Sequence, residues 1–275
     1  MLGRLATLAK ACEPDEMPRS FLCASAVAVH TVRAATLDQP VLAIPLAGRK
    51  SMRADGDWLV ADVGQALLLH RPAAVDLAHT PPADGGSYLA IGLNFSPEVL
   101  SAARTLWGRP ARAAGQALQA VELTPLLLPT LSAWADAALA GRDMALRHAA
   151  TGVALQLCEM GCDGLLSQPE PSTGARIRAM VAAKPAREWR SEELESALGL
   201  SGATLRRRLA AEGTTLRQLI ADARLAHALQ LLYATRLPVK TVAQRVGYSS
   251  ASSFVKRFGE RYGMEPSRIT GAPTV

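Results

Sequence analysis

Two different hydrophobic patterns divide the chain. In the first third, short apolar runs are separated by glycine and proline, whereas in the last third apolar residues recur every three or four positions. Short runs broken by turn residues are typical of β-strands, and the wider period is typical of amphipathic helices. The pattern predicts a β-rich N-terminal domain followed by an all-helical C-terminal domain.

Four apolar segments predict strands in the N-terminal domain. They are VLAIPLAGRK (41–50), DWLVADVGQALLLHRP (57–72), AVDLAHT (74–80) and SYLAIGLNF (87–95). Several short strands joined by tight turns favour a sandwich or small barrel. From Pro97 to about Met160, Ala- and Leu-rich stretches predict helices packed beside the barrel, one of them a candidate subunit interface.

The two patterns meet at GLLSQPEPSTG, residues 164–174. Pro169 and Pro171 oppose helix there, and the small polar residues bury little, so this stretch is the predicted linker. The 275 residues suit two domains of roughly 100 to 200 residues each. We assign residues 1–165 to the first domain and 166–275 to the second.

Helix boundaries in the C-terminal domain follow from capping residues. Pro185 closes a first predicted helix, and Ser191 is the expected N-cap of a second. After a turn at Gly199, Ser201 is placed to cap a third helix that runs to about Glu212, with Gly213 at its exit.

An internal repeat lies within this helical domain. LESALGLSGATLRRRL (194–209) and VAQRVGYSSASSFVKRF (242–258) align at an offset of 48 residues, with one extra residue in the second copy. The matched pairs are Leu194 with Val242, Leu198 with Val246, Gly199 with Gly247, Leu205 with Phe254 and Leu209 with Phe258. Helix, glycine turn and serine-capped helix, with Ser249 or Ser250 as the second cap, form the pattern of a helix-turn-helix. Two copies predict two such units.

Charge is distributed unevenly between the domains. Residues 172–275 contain 17 Lys and Arg against 8 Asp and Glu, whereas residues 1–171 contain 13 against 16. A basic domain joined to a slightly acidic one predicts that only the basic domain binds a polyanion.

Three C-terminal stretches together resemble the AraC/XylS family of bacterial transcription regulators. They are SGATLRRRLAAEG, RLAHALQLL and VKTVAQRVGYSSASSFVKRFGERYGMEPSRI. The resemblance covers the last 100 or so residues and implies a connecting helix that holds two units, with recognition helices in successive major grooves ~34 Å apart. It implies a cytoplasmic transcription activator rather than an enzyme, a homodimer without a cofactor that binds promoter DNA and RNA polymerase.

The resemblance also implies which residues contact DNA. In the first recognition helix these are Ala203, Arg206 and Arg207, and in the second they are Ala251, Ser252, Ser253 and Lys256, with Arg257 beside them. Each arginine either reads guanine or contacts only phosphate. Tyr248 and Phe254 fall at apolar positions of the repeat, which favours core packing over base stacking.

For the N-terminal half, the resemblance implies a cupin-like barrel or jelly roll that binds an effector or forms a dimer. The fold class is therefore α+β with two domains. Candidate residues for an anionic effector at the barrel mouth are Arg49, Lys50, Arg53, His70 and Arg71, although loop cations are commonly only solvated. His30, His70 and His79 are widely separated in sequence, so we expect no catalytic metal site.

The four cysteines leave an alternative open. Cys158 and Cys162 share a predicted helix face and suit either buried apolar positions or, with Cys12 and Cys23, a redox or metal site. A DNA-repair alkyl-acceptor protein, with a reactive zinc-bound cysteine, would need four suitably spaced cysteines near the N-terminus, where only Cys12 and Cys23 lie. A nonspecific architectural DNA-binding protein is the other alternative. Sparse cysteines and the lack of a signal peptide or membrane span favour the cytoplasm.

Overall fold

The N-terminal region consists of short antiparallel strands. The computed structural model describes residues 2–10, 20–112, 115–167, 171–235 and 237–270. The strands are β1 (Phe21–Ala26), β2 (His30–Leu37), β3 (Val41–Ala47), β4 (Arg49–Arg53), β5 (Leu59–Ala61), β6 (Gln65–Leu69), β7 (Ala73–Thr80), β8 (Tyr88–Asn94) and β9 (Leu118–Glu122).

These strands form two sheets that face each other. One has the order β1-β8-β3-β6-β9 and the other the order β2-β7-β4-β5. Val32, Met52 and Leu77 of the second sheet share an apolar cluster with Val41 and Leu67 of the first. The predicted sandwich or barrel is confirmed, and so is the α+β fold class.

Four helices cover the outer face of the five-stranded sheet. They are α1 (Leu2–Lys10), α2 (Pro97–Trp107), α3 (Leu127–Leu139) and α4 (Asp143–Leu157). Trp134 of α3 packs edge-on against Phe21 of β1 with ring centroids 5.8 Å apart. Since both faces of this sheet are covered, β3 is apolar without alternation.

Several features of this region differ from the sequence-based prediction. β1, β2 and α1 were not predicted, and β9 interrupts the stretch from Pro97 to Met160 that was predicted to be helical. The predicted linker is also too long at both ends, because Leu165 and Leu166 are buried in the N-terminal core and Thr173 already begins a helix. Pro169 lies outside the described residues.

The C-terminal region is helical throughout. Its helices are α5 (Thr173–Ala183), α6 (Ser191–Leu198), α7 (Gly202–Ala211), α8 (Leu216–Ala234), α9 (Val239–Arg245), α10 (Ala251–Tyr262) and α11 (Ser267–Thr270). Ser201 accepts from the Thr204 amide and Ser250 from the Ser253 amide, so the predicted cap of α7 is confirmed and Ser250 is the cap of α10. The prediction for Ser191 was wrong: it is the first residue of α6, and its hydroxyl bonds Glu195.

Helix α8 connects all parts of the molecule. Leu219 and Ala223 in its first half pack with the first helix-turn-helix unit. Leu225 and Leu232 in its second half belong to the cluster that contains the second unit and the barrel interior. None of the helices in the described ranges is both long enough and apolar enough to cross a membrane.

Candidate nucleic-acid interface and barrel pocket

Helix α7 presents a basic face to solvent. Leu205 and Leu209 are buried, while Ala203, Arg206 and Arg207 lie exposed on the other side of the helix. Four-residue spacing of the buried leucines places the intervening arginines outward. Arg208 is also exposed and was not predicted, although it belongs to the same run of three arginines.

Helix α10 repeats this arrangement. Phe254 and Phe258 are fully buried, and Tyr248 packs against Phe254 with ring centroids 5.4 Å apart, so the expected core role of both aromatic residues is confirmed. The predicted DNA-contact residues lie on the outer side: Ser252, Ser253, Lys256 and Arg257 are exposed, and Ala251 is half-buried.

The turns that join each helix pair need glycine. Gly199 and Gly247 have φ of 65° and 82°, a left-handed backbone conformation that side chains disfavour. At Gly247 the space is also restricted, because a Cβ would lie 3.1 Å from Ala186 Cα. Both turns therefore have the conformation that the sequence predicted.

An apolar cavity lies between the two sheets and α8. It holds about 90 Å³ and is lined mainly by aliphatic side chains of the barrel, together with Ala226 and Leu229 of α8. Polar side chains reach it from Lys50, His79, Gln230, Tyr233 and Thr36, and no acidic residue lines it among the described residues.

A buried chain of polar groups links this cavity to α8. Lys50 Nζ lies 3.0 Å from His79 Nε2, His79 Nδ1 lies 3.3 Å from His30 Nε2, and His30 Nε2 lies 2.7 Å from the Tyr233 hydroxyl. A charged Lys50 only donates, so His79 carries its proton on Nδ1. His30 Nδ1 then donates to Ala28 O at 3.0 Å, which leaves His30 Nε2 to accept.

Burial sets the charge of these groups. It lowers the pKa of Lys50 from 10.5 to about 8 and holds the pKa of His79 well below its usual value. Burial also lowers the pKa of His30 and raises the pKa of Tyr233. At neutral pH the cavity therefore presents one ammonium among neutral groups, which suits an anion.

The five effector candidates do not form one site. Lys50 is buried at the cavity, whereas Arg49, Arg53 and Arg71 lie on the surface. Their carboxylate partners are Asp62 at 2.7 Å, Asp76 at 2.6 Å and Asp55 at 3.7 Å, respectively. His70 lines a separate polar depression with Arg112, Gln119 and Asp163. The expectation of a shared cluster at strand ends was wrong, because alternation along β4 turns Lys50 inward and both arginines outward.

The fold brings two of the three histidines together. His30 and His79 are widely separated in sequence, but β2 and β7 pair them directly opposite each other. The described residues contain no group of three metal-ligating side chains. Tyr233 was not predicted to belong to this cluster, since nothing local in α8 indicates contact with the barrel.

The described cysteines are buried and form no disulfide with one another. Burial raises the pKa of Cys158 to about 12 and also raises the pKa of Cys162, which disfavours the reactive thiolate. Cys23 lines the cavity. Cys12 lies outside the described residues.

Polar contacts join the barrel to both helix-turn-helix units. Arg178 of α5 pairs with Asp38 at 2.6 Å. Arg261 of α10 donates to Thr36 Oγ1 at 3.1 Å, and Ser25 Oγ donates to the carbonyl of Tyr233 at 3.2 Å. The barrel thus contacts α10, which presents the second basic face, and α5 and α8, which belong to the helices around the first unit.

Known proteins match these features to different extents. The solved structure of ToxT from Vibrio cholerae bound to an unsaturated fatty acid is 15% identical, covers 94% of this chain and 99% of its own, and has a TM-score of 0.63. Apo ToxT matches with the same TM-score at 14% identity. These likenesses establish a shared two-domain fold.

Sequence relatives match part of the chain. The ornithine utilization regulator of Pseudomonas aeruginosa is 36% identical over 134 residues, which is 48% of this chain and 39% of that protein. The transcriptional regulator YdeO of Escherichia coli is 32% identical over 106 residues, or 38% of this chain and 42% of its own. The chain thus spans about two fifths of the length of these relatives. A helix-turn-helix domain family matches residues 194–271, which lie in the C-terminal helical region.

Proposed function

We propose that this protein is a sequence-specific DNA-binding transcription regulator. The observation that carries the proposal is the repeated geometry of α7 and α10: each is serine-capped, buried on its apolar face and exposed on a face with arginine, lysine or serine. In this proposal the two helices enter successive major grooves on one side of the duplex. Residues 166–275 bind DNA, and residues 1–165 regulate that binding.

Specificity in this proposal comes chiefly from the exposed arginines. Arg206 and Arg207 are free to extend from α7 toward base edges, where bidentate contact with guanine is the commonest specific interaction. Lys256 and Arg257 occupy the matching turn of α10 and contact phosphate or guanine. Ala251, Ser252 and Ser253 allow α10 to approach the bases closely.

We further propose that the effector is an apolar monocarboxylate. A buried ammonium with only neutral neighbours, at the end of an aliphatic cavity, is matched by a carboxylate with a hydrocarbon tail. ToxT, which shares the fold, is known with a bound unsaturated fatty acid. A cavity of roughly 150 Å³ admits benzene, so a space of about 90 Å³ takes only a short chain unless α8 moves. A longer chain would therefore displace the helix that carries both DNA-binding units.

The remaining parts of the proposal rest on the family resemblance. These parts are that the protein activates transcription by contacting RNA polymerase and that it forms a homodimer. Exposed apolar residues on the helical layer, Leu126, Leu139 and Met144, offer a surface for the second copy.

In vitro selection from random DNA with the full-length protein, at fixed near-physiological salt, tests the central proposal. We expect two short motifs about one helical turn apart. Equal affinity for selected and random DNA would refute it in favour of nonspecific binding. Calorimetric titration with butanoate, a chain short enough for the cavity, tests the effector, with uncharged butanol as the matched control. Binding of both or of neither would contradict a role for the Lys50 charge.

A further inference from the structure

The joint between the two helix-turn-helix units contains one shared side chain. Arg224 lies near the middle of α8, and its guanidinium donates to backbone carbonyls of both units. Nε donates to Pro185 O at 2.9 Å and one terminal nitrogen donates to Arg187 O at 2.9 Å. The other terminal nitrogen lies 3.4 Å from Gly247 O.

These carbonyls belong to opposite sides of the joint. Pro185 and Arg187 lie in the connection between α5 and α6 of the first unit, whereas Gly247 is the turn glycine of the second. The two segments touch, because a Cβ on Gly247 would lie 3.1 Å from both Ala186 Cα and Arg224 Cζ. The guanidinium therefore bonds both segments at the point where their backbones meet.

The two units pack in different apolar clusters, so apolar packing does not fix the joint between them as the polar contacts of Arg224 do. The first unit has its own apolar cluster with Leu194, Leu205 and Leu219, while the second unit packs with the barrel. Each cluster stabilises its own unit, and α8 passes between them. The polar contacts of Arg224, supported by the pairing of Asp222 with Arg261 at 3.4 Å, oppose bending and twisting between the units.

We propose that Arg224 is a positioning residue that fixes the separation and relative rotation of α7 and α10, and hence the spacing between half-sites that the protein accepts. The inference rests on the proposed binding to two DNA motifs. A planar fork with five N–H donors suits three carbonyls in different directions, whereas a lysine ammonium presents a point charge on a flexible stem.

Spacing, rather than affinity alone, is the property to measure. Duplexes would carry the selected two-motif site with the spacer shortened or lengthened by one to three base pairs. One inserted base pair rotates a half-site by about 35° around the duplex. Wild-type protein should lose ~10-fold or more in affinity for each such change, because one unit loses its base contacts.

Arg224→Gln should bind the optimal duplex more weakly but lose only about threefold at altered spacings, which gives a flatter profile. Arg224→Lys should be intermediate, and it carries the test if the glutamine variant fails to fold. Arg217→Gln is the matched control, since Arg217 is exposed on the same helix; it should keep the wild-type profile even if overall affinity falls.

The outcomes separate the two proposals. A wild-type spacing profile in folded Arg224 variants, with affinity reduced uniformly, would overturn the positioning role while leaving DNA recognition intact. If the wild-type protein selects no two-motif site, the proposed function itself fails, and the inference fails with it.

Discussion

Replacing Lys50 with methionine should make the ligand-free protein more stable. Burial lowers the pKa of Lys50 from 10.5 to about 8, and that difference corresponds to ~3 kcal/mol lost in holding the ammonium in the folded state at neutral pH. Methionine has a similar length and is apolar. It leaves His79 Nε2 without its donor, which costs ~1 kcal/mol. The expected net gain for Lys50→Met is ~2 kcal/mol.

The gain should depend on pH in a defined direction. Below about pH 8, Lys50 is protonated in both the folded and unfolded chains, so the full cost is present. Between about pH 8 and pH 10.5 the unfolded chain binds more protons, so the wild-type free energy of unfolding rises relative to that of the variant. The advantage of Lys50→Met should therefore shrink across this interval.

Urea unfolding of both proteins from pH 6 to pH 10 measures this difference. Lys184→Met is the matched control, because Lys184 is exposed and its replacement should change stability by less than ~0.5 kcal/mol. Butanoate should stabilise the wild-type protein and not Lys50→Met. A variant that is less stable than wild type at pH 7 would show that Lys50 supports the fold, and the assignment of an anion site to it would be wrong.

Four further substitutions, one of them a matched control, test the proposed DNA-binding domain. Arg207→Ala should weaken specific binding by ~1–3 kcal/mol and relax preference at one base position; a uniform loss with a shallower salt dependence would assign Arg207 to phosphate. Gly247→Ala should destabilise the domain by ~2–4 kcal/mol in urea unfolding, because a positive φ combines with contacts at 3.1 Å. Gly213→Ala has a similar φ of 69° in open space and should cost only ~1 kcal/mol, so equal losses would show that crowding is unimportant. Ser250→Ala should lower stability by ~0.5–2 kcal/mol through loss of the α10 cap, and an unchanged urea midpoint would contradict that role.

Local chemistry explains why the C-terminal domain was predictable. Capping by Ser201 and the turn at Gly199 depend on residues within one turn of helix, and the second copy repeats them. The helical period of the apolar residues then predicted that Leu205 and Phe254 are buried and that Arg207 and the arginines beside it are exposed, as the structure shows. The prediction that Ser191 is the N-cap of α6 was wrong because Arg190, which has an extended backbone, occupies that position.

Long-range pairing explains most of what was missed. His30 and His79 become neighbours only through the register between β2 and β7, which sequence spacing does not reveal. The sequence alone did not distinguish Lys50 from the other four effector candidates. The alternation of side chains along β4 buries Lys50 and leaves the two arginines of that strand exposed. Tyr233 joined the cluster only because α8 docks on β1, a contact between domains. β9 was overlooked because a helical stretch precedes it and another follows.

The docking of α8 on the barrel has a consequence for engineering by domain exchange. Leu229 and Tyr233 are buried against barrel residues, so a C-terminal fragment expressed alone would display an aliphatic and aromatic stripe to water and tend to aggregate. A chimera that joins this C-terminal region to a foreign barrel would inherit the same defect unless the new barrel fits that stripe. The barrel and the helical C-terminal region of this protein are therefore poorly modular, and exchange designs must carry the inner face of α8 along with the barrel.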